Sequence, residues 1–115
     1  MIVYGIPNCN TVKKARVWLE ENSFNPEFHD FKKNGITAGK LDEWCETFGW
    51  EVVLNKKGTT WRNLSPEVQQ SVTDQKTAVA VLLQNNSAIR RPVIEVDGRP
   101  VLISFDKEQY LAVLK

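Results

Sequence analysis

Residues 1–19, MIVYGIPNCNTVKKARVWL, predict a strand, a turn and a helix, around which the other predicted elements are arranged. This stretch opens with a short apolar strand at residues 2–4, which a turn containing Gly and Pro ends. After the turn, apolar side chains recur at steps of three and four residues, and this spacing predicts an amphipathic helix. Cys9 lies where the turn becomes the helix, and Asn8, Cys9 or Asn10 is expected to cap it.

The predicted position of Cys9 favours a thiolate. The N–H groups of a first helical turn lack partners, and the helix dipole places partial positive charge there. Thiols at such positions have pKa values of roughly 3.5 to 7.5 instead of about 8.5. The same N–H groups form a cradle for an oxyanion or a glutathione-type adduct. The alternative is a small, inert core cysteine, but a turn exposes the sulfur and favours the reactive role.

Length and charge narrow the function classes. The chain has 115 residues, enough for one domain with a buried core, and a formal net charge of +1. That balance does not favour a nucleic-acid or membrane-surface binder. No apolar stretch is long enough to span a bilayer, and no signal peptide is recognisable. We therefore expect a cytoplasmic monomer that binds neither nucleic acid nor membrane.

Two cysteines, Cys9 and Cys45, are too few for a disulfide scaffold or a zinc site, so no metal site is predicted. They do not form a CxxC pair, because the partner position holds Val12. A redox role for Cys9 therefore requires a resolving thiol from another molecule. Cys45 lies on the apolar stripe of a predicted helix and is expected to be a core residue.

The middle of the chain predicts a second strand followed by helices. Residues 27–31 alternate apolar and polar side chains, and the strand–helix–strand order predicts a right-handed βαβ unit with parallel strands. Loops are expected at 32–35 and, in an ordered form, at 58–62. The remaining patterns and capping residues predict helices over residues 37–47, 65–72 and 75–84.

The last part of the chain predicts a hairpin and a helix. Asp97-Gly98 is a strong hairpin signal between strands at 93–96 and 101–104. Asp106 is expected to cap a final helix whose inward-facing residues are Tyr110, Leu111 and Leu114.

The whole sequence then predicts an α/β, thioredoxin-like fold. It has a four-stranded mixed sheet (βαβ…ββα) in a single domain, residues 1–115, with a helical insertion at about 37–85. In this fold the position of Pro92 is commonly a cis-proline next to the active thiol.

Three separated motifs carry a family resemblance: YGIPNCNTVKKA at 4–15, GTTWR at 58–62 and RPV at 91–93. In this order and spacing, the chain resembles the ArsC-type arsenate reductase family over essentially its whole length. The YffB-like branch is most similar, and the Spx regulators are more distant. In the arsenate reductases of this family, a cysteine at a helix N-terminus attacks arsenate and arginines hold the oxyanion. Glutathione with glutaredoxin then resolves the adduct.

The resemblance implies roles for individual residues. Cys9 matches the nucleophile, and Arg62 and Arg91 match two oxyanion-binding arginines. Planar guanidinium groups suit this role because they neutralise the repulsion between an anionic substrate and a thiolate. Thr11 and the amides after Cys9 are expected to stabilise the thiolate. The residues that are expected to bind an anionic substrate or glutathione are Asn10, Thr11, Arg62, Arg91 and Pro92.

Two positions depart from the family's arsenate reductases. A third arginine in the last strand region is replaced by Ile103, and a histidine four residues before the cysteine is replaced by Gly5. The only histidine, His29, is on the second strand and is expected to be structural. These departures weaken the prediction of arsenate as substrate and leave the thiolate and two arginines in place.

The sequence thus predicts a glutathione-dependent thiol reductase with no bound cofactor. Its nucleophile is Cys9, its substrate is a small anion or a disulfide, and glutaredoxin is a candidate partner. Two alternatives stay open. One is a non-catalytic, Spx-like module that binds RNA polymerase and senses redox state, which Val12 disfavours because the CxxC switch is missing. The other is a glutaredoxin-like monothiol deglutathionylase, which differs from the first prediction only in its substrate.

Overall fold

The computed structural model describes residues 1–115. In chain order the elements are β1 (Ile2–Gly5), α1 (Asn10–Glu21), β2 (Glu27–Asp30), α2 (Phe31–Asn34), α3 (Ala38–Phe48), α4 (Trp50–Val53), α5 (Thr59–Arg62), α6 (Pro66–Ser71), α7 (Gln75–Gln84), a 3-10 turn (Asn86–Ala88), β3 (Val93–Val96), β4 (Arg99–Ile103) and α8 (Lys107–Leu114). The chain divides into two units, which we call the sheet unit (residues 1–35 and 91–115) and the helical unit (residues 36–90).

The sheet unit contains a four-stranded mixed sheet in the order β2-β1-β3-β4. β1 is parallel to β2 and antiparallel to β3, and β3 is antiparallel to β4. The crossover from β1 to β2 is α1, as a parallel pair requires. The predicted α/β, thioredoxin-like fold with a mixed four-stranded sheet is confirmed.

The β3–β4 hairpin turns at the predicted Asp-Gly pair. Asp97 and Gly98 both have positive φ angles, 52° and 77°. A two-residue hairpin turn with positive φ at both positions matches the twist of its strands, and Asp and Gly tolerate that conformation at little cost. The turn therefore sets the pairing of Val96 with Arg99 and of Glu95 with Pro100, and an irregularity between Ile94 and Glu95 then shifts the register by one residue.

One apolar cluster holds α1 and α8 together with the sheet. Its buried members are Val3, Ala15, Trp18, Leu19, Ile94, Leu102 and Tyr110. Trp18 contacts Tyr110 edge-to-face, with 5.5 Å between ring centroids. The prediction that Leu111 faces inward is wrong, since its side chain is 45% exposed. Tyr110 occupies the core position of α8, and the next residue along a helix points about 100° away.

Two predicted loops are in fact single helical turns. Residues 31–34 form α2, because the Asp30 carboxylate accepts hydrogen bonds from the N–H groups of Lys32 and Lys33 at 3.0 and 3.1 Å. This is ordinary N-capping by Asp. Residues 59–62 form α5, which begins after Gly58. No apolar periodicity marks a segment of four residues, so sequence reasoning missed both turns.

The helical unit confirms the three predicted helices as α3, α6 and α7. Thr37 caps α3, Ser65 caps α6 with Pro66 in the first turn, and Asp74 caps α7 in a capping box with Thr77. The core of this unit is lined by Leu41, Trp44, Cys45, Val53, Leu54, Trp61, Val72, Ala78, Val79, Leu82, Ala88 and Ile89. No helix in the chain combines the length and the apolar character that crossing a membrane would require.

Gly5, at the end of β1, lies against Val12 so closely that a side chain has no room. A Cβ atom at this position would be 2.9 Å from Val12 Cγ2 and 3.2 Å from Cγ1. We therefore expect Gly5→Ala to destabilise the fold by about 1–3 kcal/mol through overpacking. Urea unfolding of the variant measures this change.

Gly39→Ala is the matched control for that experiment. Gly39 lies in α3, and nothing would approach its Cβ within 4 Å. Because alanine is favoured over glycine in a helix but Gly39 is only its second residue, this variant should gain at most about 0.5 kcal/mol. Equal behaviour of the two variants would contradict the close contact between Gly5 and Val12.

Candidate functional site

The pairing of β1 with β3 brings two distant segments to one end of the sheet. Tyr4 on β1 is opposite Val93 on β3, and the two strands are antiparallel. The residues that follow β1 and the residues that precede β3 therefore leave the sheet at the same end. The first segment carries Cys9 and the second carries Arg91 and Pro92, so the topology itself places them together.

Cys9 is the N-cap residue of α1. Its backbone is extended (φ −133°, ψ 125°), and its carbonyl accepts the first helical hydrogen bond from Lys13 N–H at 3.0 Å. The side chain is partly exposed. The side chain of Cys9 makes no capping hydrogen bond. The first-turn N–H groups near it are therefore available to a negatively charged sulfur or ligand.

The surroundings of Cys9 stabilise its thiolate. Burial alone raises the pKa of the thiol. The N–H groups of Val12 and Thr11, together with the charge and hydrogen bonding of the Arg91 guanidinium, outweigh burial and bring the pKa of Cys9 below its ordinary value. A stabilised thiolate that still reaches solvent is the condition for nucleophilic reactivity of a cysteine.

Arg91 and Pro92 lie directly before β3. Arg91 is half-buried and Pro92 is buried, and the peptide bond between them is cis, as the fold led us to expect. The Pro92 carbonyl accepts a hydrogen bond from Ser104 N–H at 2.8 Å, which ties it to the end of β4. The backbone of this segment is thereby fixed beside the N-terminus of α1.

The remaining predicted residues occupy different places. Asn10 is exposed at the first position of α1, and Thr11 follows it with a partly buried side chain. Thr11 acts on Cys9 through its backbone N–H. The larger backbone contribution comes from the N–H of Val12, one of the amides after Cys9 that were expected to stabilise the thiolate. The signal for it is local, because any residue three positions after an N-cap offers this donor.

Arg62 belongs to the helical unit, where it is exposed at the last position of α5. Its N–H donates to the Gly58 carbonyl at 3.2 Å. The neighbouring Trp61 is buried, and Lys56 Nζ is 5.6 Å from its ring centroid. The short helix that carries Arg62 is therefore anchored within its own unit, and its role in anion binding stays a prediction.

One of the two positions that depart from the arsenate reductase pattern, Gly5, has a structural explanation. The space beside Gly5 is filled by Val12, so a histidine would not fit there without displacing the core. His29 Nε2 is 3.0 Å from the Gly35 carbonyl oxygen, and its ring lies 4.9 Å from that of Tyr4. No three His, Cys, Asp or Glu side chains are grouped so that they could hold a metal ion.

Cys45 contrasts with Cys9. It is buried in α3, and burial together with the negative charges of Asp42 and Glu46 raises the pKa of its thiol to about 11. Below the pKa of the thiol in the unfolded chain, Cys45 holds its proton in both states, and its contribution to the free energy of unfolding is fully present. Between that pKa and the raised pKa of the folded state, only the unfolded chain loses the proton, so the free energy of unfolding falls as the pH rises.

We expect stability to fall with pH above about 8.5, the pKa of an unfolded thiol, by up to about 1.4 kcal/mol per pH unit from Cys45. Urea unfolding at several alkaline pH values should show this slope in the wild type and a slope smaller by one proton in Cys45→Ala. Equal slopes in both proteins would show that the thiol of Cys45 does not titrate differently on folding.

Residues 4–113 match the ArsC family. The chain belongs to the ArsC family. An uncharacterized protein of Haemophilus influenzae is 44% identical over 110 residues, which cover 96% of this chain and 95% of that protein. The global transcriptional regulator Spx of Streptococcus pyogenes is 26% identical and covers 94% of this chain and 80% of its own length.

Two solved structures are similar to this chain over nearly its whole length. A YffB protein superposes with a TM-score of 0.93 at 41% identity, covering 99% of this chain and 98% of the other. An arsenate reductase (ArsC) related protein of Brucella melitensis has a TM-score of 0.75 at 43% identity, covering 99% and 93%. The predicted resemblance to this family, with its YffB-like branch, is confirmed.

Proposed function

We propose that this ArsC-family protein is a thiol reductase in which the Cys9 thiolate is the nucleophile and glutathione is the external thiol. The observation that carries the proposal is the stabilised, partly exposed thiolate at the N-terminus of α1, with the Arg91 guanidinium beside it. The similarity to an arsenate reductase related protein supports the reductase class.

The proposed cycle consists of two thiolate–disulfide exchanges. The Cys9 thiolate attacks the glutathione sulfur of a mixed disulfide, forms a Cys9–glutathione disulfide and releases the substrate thiolate, which takes a proton from solvent. A glutathione thiolate then attacks the glutathione sulfur of that adduct. The products are oxidised glutathione and the free Cys9 thiolate. Each turnover therefore consumes one glutathione thiol, and the second half of the oxidised glutathione comes from the mixed disulfide of the substrate.

Arg91 and the first-turn N–H groups have complementary roles in this cycle. They stabilise the Cys9 thiolate, which is the attacking group of the first exchange and the leaving group of the second. A guanidinium can also hold a carboxylate of glutathione or an oxyanion by paired hydrogen bonds. Arsenate is a narrower candidate substrate, since Gly5 and Ile103 replace two residues of the arsenate reductase pattern.

Assays with a glutathionylated peptide and with arsenate, each with glutathione and with or without glutaredoxin, test the proposal. We expect turnover of the peptide that depends on glutathione concentration and on Cys9. Turnover of arsenate alone would narrow the substrate to the oxyanion. The absence of turnover with both substrates, while Cys9 forms the glutathione adduct, would reject the catalytic proposal.

The similarity to Spx along 94% of the chain supports a second candidate, a module that binds RNA polymerase. A redox switch of the CxxC type does not fit this chain, because Val12 holds the second position and is fully buried. If the second candidate is correct, the wild-type protein and Cys9→Ser should bind RNA polymerase equally. Copurification of polymerase subunits with both wild type and Cys9→Ser would favour it over the reductase.

A further inference from the structure

A groove in the sheet unit is lined by residues that the proposed reaction does not use. Its volume is about 380 Å³, and it lies between α1 and the start of α8. Neither Cys9 nor Arg91 lines it. The residues around it that carry the argument are Lys13, Lys14, Val17, Trp18, Phe105 and Lys107.

The floor of the groove is an aromatic cluster. Trp18 and Phe105 both contact the Tyr110 ring edge-to-face, at 5.5 and 4.9 Å between centroids. Tyr110 is fully buried, and its hydroxyl donates to the Ser104 carbonyl. Because both rings pack against a buried, hydrogen-bonded tyrosine, the groove is open in the structure without a ligand, as ligand sites usually are.

Val17 extends the apolar surface to solvent. Its side chain is 52% exposed, and it lies one helical turn after Lys13 on α1. Residues four positions apart share a helix face, so Val17 and Lys13 together present an apolar patch with a cation at its end. Val17 lines the groove with Trp18 and Phe105, so its exposed side chain adds to the apolar surface that a bound apolar group would contact.

The rim of the groove is positively charged. Lys13, Lys14 and Lys107 line it with a single acidic residue, Glu21. None of the three lysines forms a salt bridge in the structure. Lysine stems can lie along apolar surface while their ammonium groups reach a bound anion, so the rim attracts negative charge without disturbing the floor.

We propose that this groove binds a small organic anion that has a flat apolar body and a sulfonate, carboxylate or phosphate group. The cavity volume is in the range of small-molecule sites, roughly 300–1,000 Å³. The aromatic floor receives the apolar body, and the lysine rim binds the anionic group. The inference rests on the groove alone and is independent of the reaction at Cys9.

The probe for this site is anilinonaphthalene sulfonate, compared with N-phenylnaphthylamine, which has the same aromatic body without the charge. We expect one saturable site for the sulfonate and binding of the amine that is weaker by about tenfold or more, because the amine cannot use the lysines. Chemical shift changes on sulfonate binding should be confined to Val17, Trp18, Phe105 and their neighbours.

Charge reversal on the rim completes the test. Lys13→Glu with Lys107→Glu should weaken sulfonate binding by about tenfold or more, whereas Lys33→Glu with Lys115→Glu, also in the sheet unit and exposed, should change it less than about twofold. Equal binding of the two probes, equal effects of the two double variants, or shift changes elsewhere would overturn the proposal. Cys9→Ser should bind as the wild type does, which separates this result from the fate of the reductase proposal.

Discussion

Replacing Cys9 with serine is expected to reduce glutathione-dependent turnover by about a thousandfold or more, to the uncatalysed background. Serine nearly preserves the shape of the N-cap position, but its hydroxyl does not ionise near neutral pH. The variant therefore keeps the fold and loses the nucleophile. Steady-state kinetics with a glutathionylated peptide measure the loss, and thermal unfolding checks that the variant is folded.

Cys45→Ala is the control for the serine variant, because it removes the other thiol of the chain. Cys45 is buried and its thiol pKa is raised to about 11, so it supplies almost no thiolate at neutral pH. We expect kcat within about twofold of wild type for the folded fraction of this variant. Substantial turnover in Cys9→Ser, or loss of turnover in folded Cys45→Ala, would contradict the assignment of Cys9 as the nucleophile.

Replacing Arg91 with glutamine is expected to raise the pKa of Cys9 and to lower kcat/KM at neutral pH by about tenfold to a hundredfold. The guanidinium lowers the pKa of Cys9 by its charge and by a hydrogen bond. Without it, less of the enzyme holds a thiolate at a given pH. The rising limb of the pH–rate profile should therefore move to higher pH.

The pH profile separates two roles of Arg91. Above the pKa of Cys9 in both proteins, the difference in thiolate fraction disappears, and any remaining loss in kcat/KM reports anion binding by the guanidinium. Arg99→Gln is the matched control, since Arg99 is exposed on β4 in the same unit. A profile of Arg91→Gln that coincides with that of Arg99→Gln would contradict the assigned contact with Cys9.

The sheet and the longer helices were predictable from sequence because their signals are local and strong. The βαβ pattern, the Asp-Gly turn and the capping residues Thr37, Asp74 and Asp106 each act within a few residues. The single-turn helices α2 and α5 were missed because four residues carry no usable periodicity. Leu111 was placed inward because an apolar residue beside Tyr110 cannot be assigned to a helix face from its type alone.

The candidate site was predictable to a similar degree. A cysteine at the start of a helix follows from local pattern, so Cys9 and its first-turn donors could be inferred. The closeness of Arg91 depends on the antiparallel pairing of β1 with β3, which links residues far apart in the chain. The exclusion of a histidine at Gly5 depends on the position of Val12, which only tertiary packing fixes.

The proposed reaction depends on a stabilised Cys9 thiolate, and the pH dependence of cysteine alkylation measures that thiolate. Wild-type protein is treated briefly with iodoacetamide between about pH 5 and 10, and the extent of modification at Cys9 and Cys45 is measured by mass spectrometry. We expect Cys9 to react selectively, with a midpoint below that of an ordinary thiol, and Arg91→Gln to shift that midpoint upward. A midpoint for Cys9 at or above that of a free cysteine would contradict the thiolate that the helix N-terminus and Arg91 are inferred to stabilise.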